Sequence, residues 1–390
     1  DFLEKFKTYK DTGAVLLGIC EPQMTGIGGD CFVLWSDQDG EMKSLNGSGR
    51  APAGLDAAQL RDQGHSVVPK QSPHSVTVPG AIDAFCRLSE EVGNLGIDRL
   101  LGPAIHYAEI GVPVAPRVAS DWARDASVLQ GKARETFLAG KQIPEAGQIF
   151  KAPGQAKVLR QIAKYGRDAF YTGEVADDML AALNRLGGQH TKADFANTSS
   201  TKTTPISGSY KGVDLVEHPP NGQGATANLM LNIFDHFNIS EMDPWGSQRA
   251  HIEAETAKLA YNARNRFIAD FDYTTRLEHM LSLETAAQLA ALISPKKAMD
   301  APDKLSEQVH KDTIYISVVD RDGMAVSLIY SIFNGFGSGI ASDKFGILLQ
   351  NRGSGFNLEK GHPNELKGGK RPMHTIIPGM LAKDGKPFMP

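Results

Sequence analysis

The strand signals of this chain lie at its two ends, and its helix signals lie between them. Runs rich in β-branched and aromatic residues occur in CFVLWS near 31–36, in TIYISVVD and MAVSLIYSIF over 313–333, in GILLQN near 346–351 and in TIIPGMLA near 375–382; such residues fit a pleated, half-buried surface. Helical periodicity occupies roughly 90–190, with LLGPAIHYAEI and DDMLAALNRLGG, and roughly 225–300, with ATANLMLNIFDHF, HIEAETAKLAYNARNRFIAD and ETAAQLAALI. A sheet built from both ends cannot be cut into an N-terminal and a C-terminal domain. No Pro/Ser/Gly linker, internal repeat or low-complexity tract interrupts the chain either. The expectation is one domain of α+β or layered α/β type over 1–390.

Charge and composition narrow the function classes. The formal charge is −4 with acids and bases interspersed, so no basic block exists to follow a phosphate backbone, and nucleic acid is not an expected partner. No apolar run approaches the roughly 20 residues that span a bilayer, so no membrane is expected. Cys20, Cys31 and Cys86 cannot all pair and show no CxxC spacing, which suits a reducing, cytoplasmic compartment. Both ends read as cut: the first residue is not methionine, and the last residues, KPFMP, follow a DGK turn that predicts a further strand. A leader before Asp1 would therefore be invisible, which leaves a periplasmic or secreted location open.

Glycine clusters stand out at TGIGGD (25–30), NGSGRAPAG (46–54), PPNGQGAT (219–226) and NGFGSGI (334–340). The first is no dinucleotide fingerprint, because it runs into a strand rather than from a strand into a helix. Singly, each reads as a tight turn with positive φ; together, they fit a site where backbone amides approach a substrate. His251, Glu253 and Glu255 share part of a helix but lack the HExxH spacing and further ligands, so no metal or other cofactor is expected. A Gly-x-Ser-x-Gly elbow between strand and helix is also absent, since Gly47-Ser48-Gly49 sits among turn residues.

The hairpin KDTIYISVVDRDGMAVSLIYSIF raises a different chemistry. Thr313 stands at the outer start of its first strand, an ordinary place for a β-branched residue. A threonine hydroxyl is a poor nucleophile, but it becomes useful if the same residue carries a free α-amine, whose reference pKa of about 7.7–8.0 lets it take the proton. Cleavage between Asp312 and Thr313 would supply that amine.

The run DTIYISVVDRDGMAVSLIYSIFNGFGSGI resembles the processing segment of the γ-glutamyltranspeptidases, N-terminal nucleophile hydrolases with the pattern Thr-Thr-His-x-Ser-Val-Val-Asp. Thr313 falls on the nucleophile, Ile314 and Tyr315 replace Thr-His, and Ser317, Val318, Val319 and Asp320 match. EPQMTGIGGDCFVLW, SVTVPGAIDAF, LLGPAIHYAEIGVPV, HPPNGQGATANLMLNIFD and AHIEAETAKLAYNARNRFIAD resemble further family blocks in the same order. The resemblance implies a four-layer αββα sandwich and a precursor that cuts itself into a large-subunit part, 1–312, and a small-subunit part beginning at 313–390. Ser331 falls on the hydroxyl residue that bonds the catalytic threonine, and the family's Gly-Gly oxyanion hole would lie beyond Pro390. A homo-oligomer is left open.

Departures from the family bear on substrate. Ser48 stands where the family holds the glutamyl α-carboxylate with an arginine, leaving Arg50 as the local cation. Ser354 and Gly355 stand where it binds the α-amine with an aspartate. His374 and Thr375 replace paired serines, and Phe333 replaces an asparagine, with Asn334 beside it. This resembles the acylase-like branch. The implied activity is amide hydrolysis through an acyl-enzyme on Thr313, with Arg50 meeting a substrate carboxylate and Ser48, Asn334, His374 and Thr375 supplying polar contacts. The alternatives are a true γ-glutamyl transferase acting on small-molecule γ-glutamyl amides and an unprocessed binding protein that keeps the fold.

Overall fold

The computed structural model describes residues 9–138, 142–300 and 313–390. Asp312, on one side of the expected cut, lies outside the described residues. Two antiparallel sheets face each other. The first carries five strands in the order β3 (Thr201–Thr203), β2 (Met42–Gly47), β1 (Asp30–Ser36), β7 (Ala325–Ser331) and β6 (Ile314–Val319). The second runs β9 (Lys386–Met389), β8 (Gly379–Lys383), β5 (Val213–Glu217) and β4 (Ile206–Tyr210). As the end-loaded strand pattern requires, β1 pairs directly with β7.

Strand alternation builds the layers, because successive side chains point to opposite faces. From β1 and β7, Cys31, Val33, Trp35, Val326, Leu328 and Tyr330 enter the largest core cluster. There they meet helices α1 (Tyr9–Cys20), α2 (Ala81–Glu91), α3 (Ile97–Ile110), α4 (Pro153–Tyr165) and α5 (Gly173–Arg185). The alternate residues turn inward between the sheets: Leu34 and Ala325 pack with Val216, Met380 and Ala382, and Phe32 and Ile329 pack with Ile376. On the outside of the second sheet, Ile206 meets a cluster formed mainly by α6 (Gly224–Phe234) and α7 (Ser247–Phe267). The result is the four-layer αββα sandwich.

Several local expectations give way to tertiary context. GILLQN forms no ladder: Leu348 and Leu349 make only isolated bridges, to Ala341 and Gly28. Its apolar side chains are buried, but its backbone bonds go to loop partners such as Ile340 and Gly28. TIIPGMLA becomes a strand only from Gly379, after Pro378, which has no N–H to give a ladder. Strands β3 to β5 lie in TKTTPISGSYKGVDLVE, whose polar, half-exposed pattern carries little alternation. The three residues of the dismissed metal reading are engaged elsewhere: His251 Nε2 contacts Ser294 O, Glu253 accepts from Arg249, and buried Glu255 accepts from Lys258.

Candidate active site

Strand register assembles the site at one end of the first sheet. Asp30 on β1 is paired with Ser331 on β7, and Ile314 on β6 is paired with Tyr330. Thr313, one residue before β6, therefore comes beside Ser331, with Thr313 Oγ1 3.4 Å from Ser331 Oγ. By alternation these side chains share the face that carries Phe32 and Ile329, so they open into the crevice between the sheets. The contact is long for a hydroxyl pair, a common state before substrate tightens a site.

Arg352 forms the floor. It is fully buried, its Nη2 donates to Ser331 Oγ at 3.3 Å and its Nη1 donates to Thr375 Oγ1 at 3.0 Å. Its Cζ lies 4.0 Å over the Phe333 ring, a cation–π contact. Phe333 takes φ +81, a region bulky side chains rarely occupy, and its N–H donates to Ser331 Oγ at 2.9 Å. Ser331 Oγ thus gathers three donors: the Phe333 N–H, Arg352 Nη2 and, at 3.4 Å, the Thr313 hydroxyl.

Behind this floor, Asp30 Oδ1 accepts from Gly49 N at 2.9 Å, Gly80 N at 3.2 Å and Gln350 Nε2 at 2.8 Å, while Oδ2 lies 3.4 Å from His374 Nε2. Burial pushes the Asp30 carboxyl up to about 6, against the downward pull of Arg352 and of these donors. The His374 ring tilts against Phe32 at 4.6 Å, and Phe32 stacks on His218 at 4.4 Å. Burial pushes His218 down to about 4, so it is neutral at physiological pH.

The glycine clusters work mainly by close approach rather than by positive φ. A Cβ on Gly29 would sit 2.4 Å from Ser331 O, and one on Gly49 would sit 1.7 Å from Val78 O. Both places admit only glycine, and at Gly49 the amide goes to Asp30, a protein carboxylate, rather than into open space. In NGFGSGI, by contrast, Gly337 and Gly339 do take positive φ.

The other residues singled out from the sequence divide into two groups. Thr375 joins Thr313 and Ser331 through Arg352. His374 joins them through Asp30, and its N–H donates to Asn221 O at 2.7 Å. Ser48 is buried on the same network: its N–H donates to Asn46 Oδ1, its Oγ accepts from Asn221 Nδ2, and its carbonyl accepts from Arg371 Nε. Arg50 and Asn334 point elsewhere. Arg50 Nη1 donates to Asp270 Oδ2 and to Gly369 O, each at 3.0 Å, with its side chain 45% exposed. Asn334 forms a reciprocal pair with Asn351, through its N–H at 3.2 Å and its Oδ1 at 3.0 Å. Sequence reasoning passed over Arg352, Asp30 and Asn221. The available signal for Arg352 was an arginine closing an apolar run, GILLQNR, with no acidic neighbour.

The sequence profile described as Gamma-glutamyltranspeptidase matches residues 12–390. The Glutathione hydrolase-like YwrD proenzyme of Bacillus subtilis is 34% identical over 376 residues, covering 95% of this chain and 70% of that one. The Oxamate amidohydrolase proenzyme of Klebsiella pneumoniae is 30% identical over 402 residues, covering 96% and 74%. The crystal structure of a cephalosporin acylase from Bacillus halodurans superposes with a TM-score of 0.89 at 34% identity, covering 100% of this chain and 74% of that chain.

Proposed function

The chain belongs to the gamma-glutamyltranspeptidase family, and from that premise we propose that its acyl-enzyme forms on Thr313, freed as an N-terminus by cleavage after Asp312. It is a self-processing hydrolase or acyltransferase of the N-terminal nucleophile class. The observation that carries the assignment to Thr313 is its hydroxyl 3.4 Å from Ser331 Oγ, at the head of a strand and over a buried cation.

In the precursor, Thr313 Oγ1 attacks the Asp312 carbonyl, and the N-to-O shift breaks the C–N bond, turning the peptide into an ester and freeing the Thr313 α-amine; water then hydrolyses the ester, leaving the Asp312 carboxylate on one chain and the Thr313 hydroxyl on the other. In turnover that amine takes the Thr313 hydroxyl proton as Oγ1 attacks the substrate carbonyl, and it passes the proton to the departing nitrogen. The acyl-threonine ester is then hydrolysed by water that the same amine activates. Ser331 Oγ accepts from the Thr313 hydroxyl before reaction; once that proton has passed to the amine, the Ser331 O–H turns to donate to Thr313 Oγ1 and stabilises the charge left there.

The acyl group we propose is not a γ-glutamyl zwitterion. Where the family's arginine and aspartate would hold it, this chain has Ser48, whose polar groups are engaged inside the protein, and Gly355, which has no side chain. N-terminal sequencing of purified protein should find a chain beginning at Thr313, and its absence removes the nucleophile assignment. The mature enzyme should hydrolyse a glutaryl anilide in preference to the γ-glutamyl anilide. A strong preference for the γ-glutamyl compound, with acceleration by a dipeptide acceptor, would replace hydrolysis with γ-glutamyl transfer.

A further inference from the structure

Arg352 is a cation in an unusual position. Its guanidinium is fully buried, and among the described residues no carboxylate lies within ion-pair distance of it. Asp30 acts on it only through space: its Oδ1 accepts from Gly49, Gly80 and Gln350, and its Oδ2 lies 3.4 Å from His374 Nε2. Among the described residues, the direct bonds of Arg352 go to two neutral hydroxyls, Ser331 and Thr375, and its Nε–H has no partner. A buried charge without a counter-ion is among the most costly arrangements in a protein interior. Burial pushes the guanidinium down to about 9, with Asp30 pulling it back up, so it remains charged at neutral pH.

We propose that Arg352 is the anchor for a carboxylate on the acyl half of the substrate. This rests on the amide-hydrolase reading above. The guanidinium is within two hydrogen-bond lengths of Thr313 Oγ1, through Ser331 Oγ, so the carboxylate it takes is only a few bonds from the scissile carbonyl. Monoamides of short dicarboxylic acids have that shape. Thr313 and Thr375 are only partly buried, so the guanidinium is one side chain from solvent. A carboxylate oxygen entering there replaces the Thr375 hydroxyl on Nη1 or takes the unused Nε–H, and the dry setting strengthens the new pair. Arg50 is the contrasting case, since its charge already has Asp270.

The test compares the monoanilides of succinic and glutaric acid with the same anilides carrying a carboxamide in place of the carboxylate. Mature wild type should favour the carboxylate member of each pair. In Arg352→Gln the carboxylate substrates should lose about 10²-fold in kcat/KM, mostly through KM, as expected for lost charge-assisted bonds. The carboxamide substrates should lose no more than roughly tenfold, the share due to the Ser331 contact. Arg352→Lys should keep part of the preference, which guards against a Gln variant that folds poorly. Calorimetric binding of free glutarate to mature wild type, abolished in Arg352→Gln, gives a readout independent of turnover. If wild type hydrolyses no anilide but binds glutarate through Arg352, the hydrolase reading fails and the anion site stands. Equal losses on both members of each pair, with glutarate binding unchanged, would overturn the anchor and reduce Arg352 to a positioning group for Ser331.

Discussion

Arg50 and Arg352 carry the same guanidinium into opposite surroundings. Arg50 lies on the rim of the glycine loop, 45% exposed, with an ion pair to Asp270 and a backbone carbonyl to bond. Arg352 lies under Thr313 and Ser331, fully buried, bonded to two hydroxyls and an aromatic face. The rim pair is screened by water and contributes about 0–1 kcal/mol, and its cation is already neutralised. The interior cation is poorly screened and, among the described residues, has no carboxylate within ion-pair distance, which makes it the stronger attractor for an incoming anion. Sequence position favoured Arg50, because it stands two residues from the place of the family's arginine; burial and pairing favour Arg352.

The most drastic way to probe the interior region is to remove its nucleophile. Thr313→Ala should stay uncut and show no turnover, whereas Thr313→Ser should cut itself, because the hydroxyl survives. A fragment starting at residue 313 from the alanine variant, seen by mass spectrometry, would disprove self-processing.

Stability should separate rim from interior next. Asp30→Ala takes the buried acceptor from the Gly49 N–H, while Gly80 N–H and Gln350 Nε2 keep Gly29 O and Thr77 Oγ1. At roughly 1–3 kcal/mol for one unsatisfied buried donor, the loss should be about 2 kcal/mol. Arg50→Ala should cost at most about 1 kcal/mol. Urea unfolding of both variants decides it, and similar midpoints would erase the contrast.

A smaller effect is expected at Ser331. Ser331→Ala removes one hydroxyl donor worth about 0.5–1.5 kcal/mol, so turnover should fall roughly threefold to tenfold with the fold retained. Steady-state rates on the glutaryl anilide check this, and an unchanged kcat would mean that Ser331 does not act on Thr313.

The finest contrast comes from a buried charge remote from this machinery. Glu217 closes β5, its Oε2 has no hydrogen-bond partner, and burial pushes its carboxyl up to about 8. Its folded pKa lies above the ordinary glutamate value of 4.5, so folding favours the protonated form. The contribution of Glu217 to stability is therefore fully present below about 4.5 and is lost as pH rises through about 8. Melting temperatures from pH 5 to 9 should fall less steeply for Glu217→Gln than for wild type; parallel curves would show that Glu217 ionises as freely folded as unfolded.

Much of this was legible in residue order. The alternation in IYISVVD and MAVSLIYS specifies a hairpin, and that hairpin puts Thr313 beside Ser331 without help from the rest of the chain. Strand signals at both ends required a shared sheet, and β1 pairs with β7. Other features were legible only as composition. GILLQN has the residues of a strand, but its backbone partners are loops. The glycines of TGIGGD read as turns, yet Gly29 is set by the approach of the Ser331 carbonyl from the far end of the chain.

Local residue order, then, determined the layers, the hairpin and the threonine at its head, because side-chain periodicity and short-range register are properties of neighbouring residues. The charge balance of the crevice was decided by folding. Whether an arginine has a counter-ion depends on which distant segments arrive around it. Asp270 reaches Arg50 from the far side of the sequence, while Asp30 reaches the neighbourhood of Arg352 with its Oδ1 already held by three N–H donors and its Oδ2 turned to the His374 ring. Desolvation and long-range pairing of that kind leave no local periodicity, so they become visible only when the sheets close on each other.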